Sequence, residues 1–328
     1  MTSEGSKADK APTGPRELRL SDDEVAFLRY TCNMFFLPES PLYVFEAEKR
    51  EPKLFGAAHD SLCKKGLVDP DTWRGKDEAL QPVQTVAECD ARVLWQRYER
   101  DQKKTRDFYV AGGMAVEFKI DGGHYVFSPA MKEREMVHAA VAQFKPSTKT
   151  VGLVDVVFSP GEYLVFAVFA RDVRATAEDS VVEDHMSIEE VLACFEDEAE
   201  IPTIPRDSDF RRHAESLQER ALLEKDKHGN HRLVKSLHAF ARGLSSESYD
   251  ALTRYDFIDE EWLIRETTIY PCEGAIYLLS SLADGSVSVQ ELDGEKLHEV
   301  LAQAIATLPD ISDNPAKPRF AKDFFLRA

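Results

Sequence analysis

No stretch of this sequence stays apolar for long. The longest such run, Tyr163–Ala170, is eight residues. A helix needs about 20 to cross a bilayer, so membrane insertion is not expected. Basic residues are in the minority, with 41 Lys and Arg against 59 Asp and Glu and a net charge of −18. A phosphate backbone would meet a repulsive average field. Lys103, Lys104 and Arg106 form the densest basic group and are too few to reverse it. Nucleic acid is therefore excluded as a partner. Met1–Arg16 lacks the apolar core of a signal peptide. The cysteines Cys32, Cys63, Cys89, Cys194 and Cys272 are odd in number and scattered. They read as reduced thiols of a cytoplasmic protein rather than a disulfide framework.

Catalytic signatures are missing too. There is no P-loop, Gly-x-Gly-x-x-Gly, Gly-x-Ser-x-Gly, His-Glu-x-x-His or Cys-x-x-Cys. Ser61-Leu62-Cys63-Lys64 matches Ser-x-x-Lys without the companion motifs of that enzyme class. His59 and Cys63 stand four apart on a helical stretch, close enough to share a metal. Nothing nearby supplies further ligands, so a buried thiol and a surface imidazole are expected. His228-Gly229-Asn230-His231 reads as a turn between two helices, and it is where an enzyme or small-ligand reading would centre. Asp256, Asp259, Glu260 and Glu261 read as a solvated helix start, and Gly112-Gly113 as a bulge or close backbone approach at a strand entry. No catalytic residue, metal or cofactor is assigned, and an enzyme is the less favoured class.

What is present is an ordinary globular composition, 43% hydrophobic and 30% charged over 328 residues, enough for about two domains. After a Ser-, Lys-, Gly- and Pro-rich leader (1–17), Ser21-Asp22-Asp23-Glu24 forms a capping box ahead of Val25, Leu28 and Cys32 at helical spacing. Ser159-Pro160-Gly161-Glu162 repeats that opening ahead of Tyr163, Leu164 and Phe166, with proline at the first helical position. Leu62-x-x-x-Gly66-Leu67-Val68-Asp69 ends an early helix, and Leu217–Glu224 takes the matching place later. Strand-like runs follow at 108–110, 115–120 and 124–127, then again at 265–270, 275–280 and 286–290. Asp121-Gly122-Gly123 and Asp284-Gly285 turn the last two runs of each set. Helices ending at Phe144 and Leu308 close the halves. The pattern predicts an α+β fold of two pseudo-symmetric repeats, 18–150 and 151–309, sharing a central antiparallel sheet. An acidic insertion (176–205) and a Phe-rich basic tail (310–328) are added. The insertion contains a further capping box, Ser187-Ile188-Glu189-Glu190, leading to Phe195.

The order of capped helix, Leu62-x-x-x-Gly66-Leu67-Val68-Asp69, hairpin at Asp121-Gly122 and helix ending at Phe144, duplicated, is similar to the EspG family of type VII secretion chaperones. The resemblance spans roughly 18–310 in layout. It implies two pseudo-symmetric α+β halves around an antiparallel sheet, and a monomeric adaptor that shields an apolar helical tip of a client. The acidic insertion and the Phe-rich tail depart from that layout.

These features favour a non-enzymatic adaptor or secretion-type chaperone that holds a protein partner in the cytosol; a structural homo-oligomer is a further alternative. The sheet segments 115–127 and 275–290 are the expected partner surface. Glu117, Lys119, Tyr277 and Leu279 are named on its strands, with Glu117 and Tyr277 facing solvent. Phe195 of the insertion and Phe320, Phe324 and Phe325 of the tail are the added contacts.

Overall fold

The computed structural model describes residues 17–43, 52–99, 102–144, 154–178, 207–225, 227–245, 248–258, 261–272, 274–282, 284–306 and 319–320. The leader up to Arg16, nearly all of the acidic insertion and the tail other than 319–320 lie outside the described residues. The chain is α+β with a large antiparallel sheet. Its packing divides it into two units that interleave along the sequence. Unit 1 takes Met1–Arg92 and Asp107–Lys132, and unit 2 takes Val93–Arg106 and Glu133–Ala328.

In unit 1, β1 (Leu18–Leu20), α1 (Asp22–Tyr30), α2 (Pro52–Lys64) and α3 (Asp77–Ala87) precede the strands. These are β2 (Ala91–Glu99) and β3 (Gln102–Ala111), each continuing into unit 2, then β4 (Met114–Asp121), β5 (His124–Phe127) and β6 (Met131–Lys132). The strand order is β1–β5–β4–β3, with β6 on β4. Gly112-Gly113 and Gly122-Gly123 are both two-residue hairpin turns, with φ of 55° and 75° at the first and 58° and 75° at the second. Positive φ at both positions matches strand twist and favours glycine, so Gly112-Gly113 is a turn and not the expected bulge. Val116, Phe118 and Phe127 of the sheet bury against Phe27, Leu28, Leu62, Val83 and Val86 of the helices.

Unit 2 contains α4 (Glu133–Phe144), β7 (Asp155–Phe158), α5 (Pro160–Glu178) and α6 (Asp207–Glu219), then the hairpin β8 (Leu223–Lys225) and β9 (His231–Leu233). There follow α7 (Lys235–Ser245), β10 (Ser248–Ile258), β11 (Glu261–Cys272), β12 (Ala275–Ser281), β13 (Val287–Glu291), α8 (Gly294–Ile305) and β14 (Arg319–Phe320). The sheet order is β2–β10–β11–β12–β13–β7, with β14 on β11. Aromatic rings fill the core: Phe166 stacks on Phe240 at 5.5 Å, and Phe240 lies 5.2 Å from Tyr277. Helix α7 seats closely because Gly243 has no Cβ; one would fall 1.7 Å from Cys272 Sγ.

One side-chain arrangement occurs in both units. In unit 1, Ser21 Oγ accepts from the Glu24 amide at 3.3 Å, and Glu24 accepts from the Ser21 amide at 2.7 Å. Lys65 Nζ then reaches both Glu24 oxygens at 2.6 and 2.7 Å and the carbonyl of Arg19, on edge strand β1, at 2.7 Å. In unit 2, Ser159 and Glu162 form the same box at 3.3 and 2.8 Å. Arg220 binds Glu162 at 2.9 Å and the carbonyl of Val157, on edge strand β7, at 2.8 Å; Ser216 donates to Glu162 at 2.6 Å. Burial alone would raise the pKa of both glutamates. The donors around each outweigh that and hold it below its usual value: Lys65, Ser21 and Ser61 for Glu24, and Ser216, Ser159 and Arg220 for Glu162. Each clamp helix also ends alike. The Leu67 amide reaches Leu62 O at 3.0 Å and the Leu222 amide reaches Leu217 O at 2.8 Å, around left-handed Gly66 (φ 76°) and Ala221 (φ 55°).

The inward face of β10 in unit 2 is charged. Asp250 accepts from Trp95 Nε1 at 2.7 Å and Arg97 Nε at 2.9 Å. Arg254, fully buried, binds Asp256 at 2.7 Å, Glu133 at 3.1 Å and the carbonyl of Ile305. Arg265 binds Asp256 at 2.8 Å and the carbonyl of Gln303. The two guanidiniums thus cap the C-terminus of α8, where the helix dipole favours positive charge, and one of them also holds the start of α4. Asp256 is therefore a buried strand residue, not part of a solvated helix start, and Glu261 opens β11. Asp259 and Glu260 lie outside the described residues.

Removing Arg254 leaves buried carboxylates short of a partner. Arg254→Met is expected to lower unfolding stability by about 3–5 kcal/mol in urea titrations. Ala221→Gly is expected to raise stability by about 0.5–1 kcal/mol, because it relieves a left-handed alanine. Gly66→Ala should cost about 1 kcal/mol by the same measurement.

Candidate functional site

The residues expected to face a partner fall in different environments. Glu117 on β4 is half-buried opposite Phe108, and its amide donates to Ser128 Oγ at 2.9 Å. Lys119 is exposed, 3.6 Å from Glu17. Tyr277 is 1% exposed against Phe240, which corrects its expected solvent-facing position. Leu279, two residues along β12, is packed against the same core. The helices of unit 2 cover that face of β12, and this could not be read from the strand's own alternation. Phe195, Phe324 and Phe325 lie outside the described residues; Phe320 pairs with Leu263 through β14.

The histidine arrangements build no metal centre. Among the described residues there is no group of three or more His, Cys, Asp or Glu placed to hold a metal ion. His59 Nε2 lies 3.4 Å from Cys63 Sγ, and its ring stacks on Trp73 at 4.1 Å. The imidazole is buried rather than on the surface. Burial, together with the Asp60 and Asp69 carboxylates, pushes the Cys63 thiol up, away from a reactive thiolate. The turn at His228–His231 joins β8 to β9, not two helices, with His231 opposite Lys225. A shallow groove of about 700 Å³ in unit 1 is lined by Glu17, Arg19, Lys65, Glu78 and apolar groups including Leu67 and Pro82. Lys65 is engaged by Glu24, and Arg19 is 2.6 Å from Asp121.

A surface the sequence reading missed lies at the C-terminal end of α1. Tyr30, Phe35, Tyr43 and Trp73 are 45%, 64%, 37% and 43% exposed. Arg29 gathers two of them with the buried Phe36: its guanidinium carbon lies 5.4 Å from the Tyr30 ring centre, 5.5 Å from Phe36 and 5.4 Å from Tyr43. Trp73 arrives from the loop after α2. Asp69 Oδ1 accepts from the Asp71 amide at 3.1 Å and from the Thr72 amide and hydroxyl at 2.9 Å each. Those donors hold the Asp69 carboxyl below its usual value. The turn places Trp73 at φ 60°, a left-handed conformation uncommon for a bulky residue. Cys32 Sγ donates to Trp73 O at 3.6 Å, and the Trp73 ring lies 5.8 Å from Phe27, fixing the loop beside α1. Tyrosine, tryptophan, phenylalanine and arginine are the residue types enriched at the cores of protein interfaces. The available signal was Phe35-Phe36 in a segment without periodicity, together with a tryptophan inside an Asp-Pro-Asp-Thr turn.

No protein-family profile and no curated protein sequence matches this chain. Among solved structures it is similar to the Mycobacterium tuberculosis type VII secretion system chaperone EspG5 in complex with the PE25–PPE41 dimer. The identity is 11% and the TM-score 0.47, over 90% of this chain and 97% of that one. This is a weak, fold-level resemblance. No helix among the described residues is long and apolar enough to cross a membrane.

Because Phe35 is the most exposed of these rings, Phe35→Ser is expected to leave unfolding stability within about 0.5 kcal/mol in a denaturant titration.

Proposed function

We propose that this protein is a non-enzymatic adaptor of the secretion-chaperone kind, which holds a partner protein in the cytoplasm. The observation that carries this reading is the pair of exposed tyrosines, Tyr30 and Tyr43, gathered around Arg29 in unit 1. An isolated exposed ring needs no explanation, whereas two that share one arginine, in a unit that also exposes Phe35 and Trp73, form the kind of patch that marks a protein-binding surface. The partner that suits it presents an apolar surface, such as the exposed stripe of a helix. The matching clamps at Glu24 and Glu162 support reading the segments 18–150 and 151–309 as copies of one module. The β4 surface at Glu117 and Lys119 is the second place where contact is proposed.

Affinity capture from the native cytoplasm tests this reading, comparing the natural chain with Phe35→Ser, Tyr30→Ala, Glu117→Ala and Lys119→Ala chains. A stoichiometric partner is expected, with its affinity reduced about tenfold or more by the aromatic substitutions. Loss only at Glu117 or Lys119 would move the docking surface to β4. A chain that brings down only copies of itself, or no protein at all, would sink the adaptor reading.

A further inference from the structure

Strand β11 is longer than the strand beside it. It runs from Glu261 to Cys272, and β12 pairs with it only from Thr268↔Leu279 to Cys272↔Ala275. On the opposite side, β10 pairs from Ile269 down to Glu261. The flank from Trp262 to Thr267 therefore projects beyond β12, and β14 lies along it. Leu263 is opposite Phe320 and Ile264 is opposite Arg319, antiparallel. A bare edge containing Trp262-Leu263-Ile264 and Thr267 has the composition that pairs with other chains.

We propose that the flank of β11 is a strand-docking edge whose occupant is this chain's own C-terminal peptide, starting at Arg319. Two observations support that occupant. Two residues are already in register. The peptide from Arg319 to Ala328 also carries Arg319, Lys322 and Arg327 against a single acid, Asp323, in a chain of net charge −18. The peptide thus closes the edge intramolecularly and keeps a second copy from pairing there.

Hydrogen exchange on the full chain tests it, read over Trp262–Thr267 and compared with the full-length R319P/F320P variant. Proline at both positions removes the backbone donor whichever of the two pairs is hydrogen-bonded. Exchange in that segment is expected to rise about tenfold in the variant while Thr268–Cys272 is unchanged. Light scattering should then show association that grows with concentration. A chain ending at Pro318 should behave the same way. Equal exchange in the natural chain and in the chain ending at Pro318 would overturn the proposal. So would protection that falls when the natural chain is diluted, because the occupant would then be the tail of another copy.

Discussion

A buried glutamate held by a cation is the constraint on which each unit is built. Glu24 closes a capping box on its own helix start, and Lys65 brings the end of the next helix to it. Glu162 does the same with Arg220 and Ser216. A carboxylate this buried would be costly if left alone. Its capping bonds and its cation therefore form together, and they set the angle at which the two helices they join meet. The same cation satisfies a carbonyl of the edge strand, Arg19 in one unit and Val157 in the other. One side chain thereby anchors a helix pair and removes a hydrogen-bonding position from an exposed sheet edge.

The second organising feature is the charged inward face of β10. Arg254, Asp256 and Arg265 would be destabilising if buried singly; with Glu133 and the carbonyls ending α8 they satisfy one another. Such a network contributes less to net stability than an apolar core of similar volume. What it adds is geometry, because the end of α8 and the start of α4 can meet that strand only where their polar groups align. The exposed chemistry lies elsewhere, in unit 1, where Arg29 gathers Tyr30, Phe36 and Tyr43 at the end of a short helix and an Asp69 turn delivers Trp73 beside Phe27. Rings held by a rigid turn and a shared cation lose little entropy on contact, which suits a docking surface.

Local chemistry was legible in the sequence. The capping boxes at Ser21 and Ser159, the Gly122-Gly123 hairpin, proline at the start of α5 and the closing helices all depend on residues a few positions apart, so their spacing carries the information. The α+β class followed from them. Strands β2 and β10 were missed for the opposite reason. The inward positions of β10 read Asp250, Leu252, Arg254 and Asp256, so the alternation that marks a half-buried strand is inverted, and Asp256 looked like solvent-facing charge. Tyr277 was placed on the wrong side because either face of a strand can be the buried one until its neighbours are known.

By itself, the sequence determined the helix starts, the tight turns and the acidic, catalytically unmarked character of the chain, because those follow from neighbouring residues and from composition. Only tertiary structure decided that Lys65 would meet Glu24 forty-one positions away, that charges on β10 would be buried because they are mutually paired, and that scattered aromatic residues would gather around Arg29. Each of these depends on segments distant in sequence arriving at one place, and a strand or helix pattern read along the chain holds no record of that arrival.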